Sequence, residues 1–188
     1  QLPEVVDTGL RNSELRQHVG DVRPEYEQYL ILTCPSCGKS AWATEFAPTS
    51  EICVLNQPNK PPHLQYRNAA IWVEREGGNF FGVAMYYLYA AWCADDVNAF
   101  PQAREYRRLA IDAFRKSLVD VSCPASSRAD VEYLIGELCR RTGDFTRCKE
   151  YFGQVIGRLP ALYATMARKL MKLAEMGSED LIDFTGTN

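Results

Sequence analysis

From about residue 63 to Met176, apolar side chains recur at spacings of three and four, the period of helices that bury one face. Breaks at Gly77-Gly78, Asp95 to Asn98, Cys123-Pro124, Gly143-Asp144 and Pro160 divide this stretch into six predicted helices. The first runs from His63 to Glu76, with Tyr66, Ala69, Ala70 and Val73 on one face. The second, Phe80 to Ala94, is apolar nearly all round, which predicts a central helix contacted on both sides. The third has Pro101 in its first turn and an inward stripe of Tyr106, Leu109, Ala110, Ala113, Phe114 and Leu118. Helices four and five fall between Val131 and Pro160, and a sixth, Leu162 to Met176, covers the end of the stack with Leu170 and Leu173. Residues 1–62 differ in texture: they hold seven of the ten prolines and a β-prone run from Tyr29 to Thr33, so they read as a small ribbon-like module. The chain therefore divides into 1–62, 63–176 and a polar, acidic tail, 177–188, anchored by Leu181, Ile182 and Phe184.

Within the helical part, VEYLIGELCRRTGDFTRCKEYFGQVIGRLP (131–160) resembles one tetratricopeptide repeat. Gly136 stands in the first helix, where a missing side chain lets the partner helix approach. Cys148, Phe152, Val155 and Pro160 follow it by 12, 16, 19 and 24 residues, at the family's spacing. Cys148 occupies a place where the family usually has alanine. Phe80 to Ser117 reads as a second, divergent repeat, with Ala84 in its first helix and Ala110, Phe114 and Ser117 in its second. The resemblance implies a mainly α fold: a small zinc-ribbon-like β module followed by a right-handed stack of antiparallel helices. Such stacks are docking architectures.

Composition narrows this picture without redirecting it. With 46% hydrophobic and 24% charged residues, the 188-residue chain has the balance of an ordinary globular protein. A net charge of −3 gives no reason to expect binding to a nucleic-acid backbone, and the longest apolar run, Phe80 to Cys93, is too short to span a bilayer. Seven scattered cysteines do not make a secreted disulfide framework, so a reducing cytoplasm is the expected setting. The numbered chain opens on Gln1 without a charged-then-apolar leader, which predicts a processed, trimmed or partly disordered start.

The sharpest chemical motif is Cys34-Pro35-Ser36-Cys37-Gly38-Lys39. Two thiolates three residues apart on a tight turn can share one zinc ion, with proline and glycine shaping the turn. Cys34 and Cys37 are thus candidate metal ligands, but they make only half of a four-ligand site. Cys53, His18 and His63 are the remaining candidates, none at persuasive spacing. The alternative readings are an ordinary turn, a redox dithiol or a zinc-dependent enzyme, and the enzyme readings lack a visible base or cofactor loop. A zinc ribbon that contacts nucleic acid is a further alternative, poorly supported by Arg23 and Lys39 alone.

The order Leu10 to Arg16, Asp21, Pro24-Glu25-Tyr26, Tyr29, then Cys34 to Ala41 and Phe46, followed by helical repeats, is similar to the bacterial proteins grouped as domain-of-unknown-function family 2225. In that family a first CP-x-C pair precedes the knuckle and would complete a four-cysteine zinc ribbon. That pair is absent here, so the resemblance implies either an upstream pair or a degenerate site.

If the repeat geometry holds, the first helix of each hairpin lines a concave face. That places Phe81, Met85 and Tyr89 beside Asp130, Tyr133, Glu137, Arg140 and Arg141, a groove with aromatic and methionine anchors and a charged rim, suited to a protein or peptide partner. Taken alone, Arg140-Arg141 reads as a solvated helix end, and Asp95-Asp96 as solvated turn carboxylates. The sequence thus predicts a non-enzymatic, cytoplasmic interaction protein.

Overall fold

The computed structural model describes residues 11–17, 27, 30–46 and 60–183. A two-stranded antiparallel hairpin, β1 (Ile31–Thr33) and β2 (Ser40–Trp42), precedes six helices: α1 (Pro62–Arg75), α2 (Phe80–Asp96), α3 (Phe100–Val119), α4 (Arg128–Arg141), α5 (Phe145–Val155) and α6 (Ala161–Glu175). The breaks read from the sequence are those observed, except that α2 runs on through Asp95 and Asp96, which the pattern placed in the turn. Asn79 caps α2 by accepting from the Gly82 amide at 2.6 Å, and Asp144 caps α5 through the Arg147 amide at 3.1 Å. Pro62 opens α1, and Pro101 sits in the first turn of α3, where a missing N–H costs nothing. No strand interrupts residues 62–183.

Successive helices pack on one another, and α4 also touches α6. Helix α2 is the centre of this bundle: Val83, Ala84, Leu88, Ala90, Ala91 and Ala94 are all buried, as a helix without a polar face requires. In the α4–α5 hairpin, Cys148, Phe152 and Val155 are buried. A β-carbon added to Gly136 would lie 2.4 Å from two Phe152 ring atoms, so only glycine permits this helix crossing. In α2–α3, the equivalent Ala84, Ala110, Phe114 and Ser117 are likewise buried.

The hairpin is joined to this bundle. Ile31 is buried in the core, and the Trp42 ring stacks on Tyr86 at 4.8 Å and meets Tyr66 and Tyr89 edge-on at 5.5 and 5.0 Å. Polar side chains fasten it too: Thr33 donates to Gln65 Oε1 at 2.9 Å, and Asn68 Nδ2 donates to the Gly38 carbonyl and to Ser40 Oγ, both at 2.9 Å.

A feature absent from the sequence reading is a clasp formed by residues 11–17 and 178–183. Asn12 organises the first segment, its Oδ1 accepting from the amides of Glu14 and Arg16 and its amide donating to the Arg16 carbonyl. Leu15 takes φ +58 to turn the chain between two inward-reaching residues. The two segments pair with each other: Ser13 N donates to the Ile182 carbonyl at 2.7 Å, and Asn12 bridges Asp183.

Candidate partner-binding face and cysteine knuckle

Four of the expected groove residues, Phe81, Met85, Tyr89 and Asp130, come together at one cavity. Phe81, Met85 and Tyr89 of α2 are half-buried and line a cavity of about 250 Å³ together with Asp130, Val131 and Leu134 of α4. Leu88 and Trp92 complete its apolar wall, and Arg11, Glu14 and Gln17 of the clasp close one side. Tyr89 is less free than its position suggested, because its ring also packs on Trp92 at 4.8 Å, Tyr66 and Trp42.

The other half of the predicted groove is not open. Tyr133, Glu137 and Arg140 each have no exposed surface, which corrects the expectation that they present themselves to a partner. Tyr133 faces the C-terminal helices, stacking on Tyr163 of α6 at 5.0 Å and meeting Phe152 at 6.0 Å. Glu137 and Arg140 lie beneath the clasp. Arg140 donates to both Glu137 oxygens at 2.7 and 2.8 Å and to the carbonyls of Ser178 and Asp180 at 2.7 Å, while Ser13 Oγ donates to Glu137 at 2.6 Å. Arg141 is half-buried, donating to Glu14 at 3.0 Å and to the Glu179 carbonyl. Neither arginine is the solvated helix end that its place in the sequence suggests.

Glu14 is the centre of a buried charge network. Its carboxylate accepts from Arg107 Nε at 2.7 Å, Arg141 Nε at 3.0 Å and the Trp92 indole N–H at 2.7 Å. Burial alone would raise its pKa; the two guanidiniums outweigh burial and hold the carboxyl at about 2. Arg16, next but one, bridges Glu27 and Asp96 and lies 5.7 Å from the centre of the Trp92 ring. Asp95 pairs with Arg107 and, at 3.5 Å, with Arg141. Asp95 and Asp96 are therefore partners in ion pairs and not solvated turn residues. For Glu137, burial pushes the pKa up, and Arg140 and Ser13 pull against it.

At the knuckle, Cys34 and Cys37 lie on the turn between β1 and β2. The Cys34 amide donates to the Lys39 carbonyl at 2.8 Å, and the Gly38 amide to the Cys34 carbonyl at 2.9 Å, with Gly38 at φ +75. Amides of Cys37 and Ser36 point at the Cys34 sulfur, and the Cys37 thiol also bonds to it; together they lower the Cys34 pKa from its usual value. Two cysteine thiols on one tight turn are the donor type that half of a zinc site uses. They do not complete one: among the described residues no three His, Cys, Asp or Glu side chains gather as a metal would require. Hence His63 does not join the pair; it lies beside Tyr106, 6.2 Å between rings. Cys53 and His18 fall outside the described residues. The six described cysteines are all free.

Residues 66–175, which span nearly all of α1 through α6, match the family described as uncharacterized proteins conserved in bacteria, DUF2225. The chain belongs to this family. The DUF2225 match begins beyond the knuckle and the clasp's first segment, so it covers the helical bundle and not the ribbon-like residues. No curated protein and no solved structure matches the chain. Among the described residues no helix is long and apolar enough to cross a membrane.

Sequence reasoning missed Glu14, Arg107, Asp95 and Arg16 as a network. The available signal was Arg107 within the third helix's inward stripe, between Tyr106 and Ala110, where a buried cation needs an acid from elsewhere in the chain.

Proposed function

We propose that this DUF2225 member is a non-enzymatic interaction protein, acting in the cytoplasm, whose helices form a tetratricopeptide-like right-handed stack and take a partner protein at the cavity between α2 and α4. The observation that carries this reading is the half-exposed set Phe81, Met85 and Tyr89 lining one cavity with a polar rim of Arg11, Gln17 and Asp130. At about 250 Å³ it falls below the range of roughly 300–1,000 Å³ usual for small-molecule sites, and suits an anchoring side chain better than a cofactor. Tyr133, Glu137, Arg140 and Arg141 lie outside this cavity's lining and in this reading hold the bundle and the clasp together. In this reading Cys34 and Cys37 supply two of four ligands to a structural zinc that stiffens the hairpin, away from the partner.

Affinity capture from bacterial extract, quantified by mass spectrometry, tests it. Met85→Glu puts a charge on the cavity wall and should deplete a specific partner while the far-ultraviolet circular dichroism stays unchanged. An identical set of captured proteins from both forms would refute this site.

A further inference from the structure

On the other side of the clasp, a cleft of about 740 Å³ opens between the start of α3 and the tail. Four arginines line it, Arg104, Arg107, Arg108 and Arg141, against two carboxylates, Asp95 and Glu179. Counting Glu14 and Glu105, which lie just outside the lining, each arginine has a carboxylate partner, so the cleft is charge-balanced and what distinguishes it is how firmly each pair is held. The four do not behave alike. Arg107 and Arg141 are neutralised from below by Glu14 and Asp95 and form a fixed floor. Arg104 and Arg108 stand at the rim, their side chains 46% and 57% exposed. Among the described residues Arg108 pairs with Glu105 at 3.7 Å, with both side chains more than half exposed.

Phe100, 59% exposed, and Leu181, 45% exposed, give the same cleft two unburied apolar faces. The tail shows which chemistry fits. Glu179 places its carboxylate 2.5 Å from Arg104, its carbonyl accepts from Arg141, and two residues on Leu181 lines the cleft. An acidic residue two positions from an aliphatic one therefore already matches the spacing between rim cation and apolar wall. The Arg104–Glu179 pair is half-exposed, and such pairs contribute about 0–1 kcal/mol, so exchanging Glu179 for another carboxylate at Arg104 costs little.

We propose that this cleft docks an acidic peptide segment of a partner protein, a carboxylate gripped by Arg104 and Arg108 and a neighbouring aliphatic or aromatic side chain seated on Phe100 and Leu181. The proposal deepens the interaction reading, since it takes the partner to be a protein, but it does not depend on the α2–α4 cavity. Exchange of Glu179 and Glu105 for the peptide's carboxylates at the two exposed rim arginines supplies orientation, and burial of Phe100 and Leu181 supplies the apolar contribution that a free anion lacks.

Fluorescence polarisation with a labelled hexapeptide of sequence EELEDF, and its QQLQNF counterpart, tests the proposal on the full chain. The acidic peptide should bind saturably at low salt and about tenfold more weakly to the R104E/R108E variant, with the neutral peptide weakened to a similar degree. Met85→Glu should leave peptide binding unchanged, so failure of the α2–α4 site and failure of this cleft are read separately. No saturable binding, or equal affinity for wild type and R104E/R108E, would overturn the proposal. So would equal displacement of the peptide by inorganic phosphate or a single-stranded oligonucleotide, which would mark a general anion site.

Discussion

Gly136→Ala asks whether the α4–α5 crossing is set by the absence of one methyl group. An added β-carbon would stand 2.4 Å from two ring atoms of Phe152, about 1 Å inside the 3.4 Å at which ordinary contact begins. The ring has little room to retreat, because Phe152 is fully buried and lies against Tyr133. Overpacking of this kind costs about 1–3 kcal/mol, and alanine's better helix propensity returns about 1 kcal/mol, leaving a net loss of about 1 kcal/mol, rising to about 2 where the ring cannot move. Gly153, on the exposed side of α5, is the internal control: nothing lies within 4 Å of its β-carbon position. Gly153→Ala should therefore gain about 1 kcal/mol. Urea unfolding followed by circular dichroism at about 222 nm separates the two variants. With a slope of about 2 kcal/mol/M, each midpoint should move roughly 0.5 M from wild type, Gly136→Ala downward and Gly153→Ala upward, leaving the two about 1 M apart. In a double-mutant cycle, Phe152→Leu should cost less in the Gly136→Ala background than alone, because the smaller side chain relieves the clash. Gly136→Ala stabilising the chain as Gly153→Ala does would refute the crossing geometry, and the repeat register with it.

Acid stability should report on Glu14. Its folded pKa of about 2 lies below the ordinary 4.5, so its contribution is present above about pH 4.5 and lost as pH falls toward 2; Glu14→Gln should remove roughly 3 kcal/mol at neutral pH and flatten the acid limb of the stability profile. Arg140→Met leaves Glu137 buried without its guanidinium, a loss of about 3–5 kcal/mol, and should accelerate hydrogen exchange in residues 178–183, whose carbonyls Arg140 holds. If the knuckle binds zinc, elemental analysis of the full chain should show metal that Cys34→Ser abolishes, and chelation should loosen residues 30–46 while the helical signal persists; wild-type protein without zinc would end that assignment.

The helices were legible because their determinants are local. The three-and-four spacing, Gly77-Gly78, Cys123-Pro124, Gly143-Asp144 and the prolines at 62, 101 and 160 each act within a few residues, and each break is found where the pattern puts it. The Gly136–Phe152 contact was legible because both residues sit in one hairpin, at a fixed offset. The clasp was not, because its bonds join residues more than a hundred positions apart: Ser13 to Glu137, Glu14 to Arg141, Ser13 to Ile182. No periodicity carries such pairs. For the same reason Glu137 and Arg140 read as a groove lining, since α4 seen alone gives no sign that residues 11–17 and 178–183 lie across it, and Tyr133 is covered by Tyr163 of α6, thirty positions on. Phe81, Met85, Tyr89 and Asp130 could be grouped from the sequence because α2 and α4 are neighbouring helices of successive hairpins, and they do line one cavity.

Site-specific photo-crosslinking from position 85 in living bacterial cells tests the central claim most directly. A photoreactive phenylalanine analogue at Met85 faces the α2–α4 cavity, whereas the same analogue at Val119, 84% exposed at the end of α3, faces solvent away from the cavity. A discrete covalent adduct with one partner protein from position 85, and none from position 119, is the predicted result. Equal adducts from both positions, or none from position 85, would contradict an interaction role for this face.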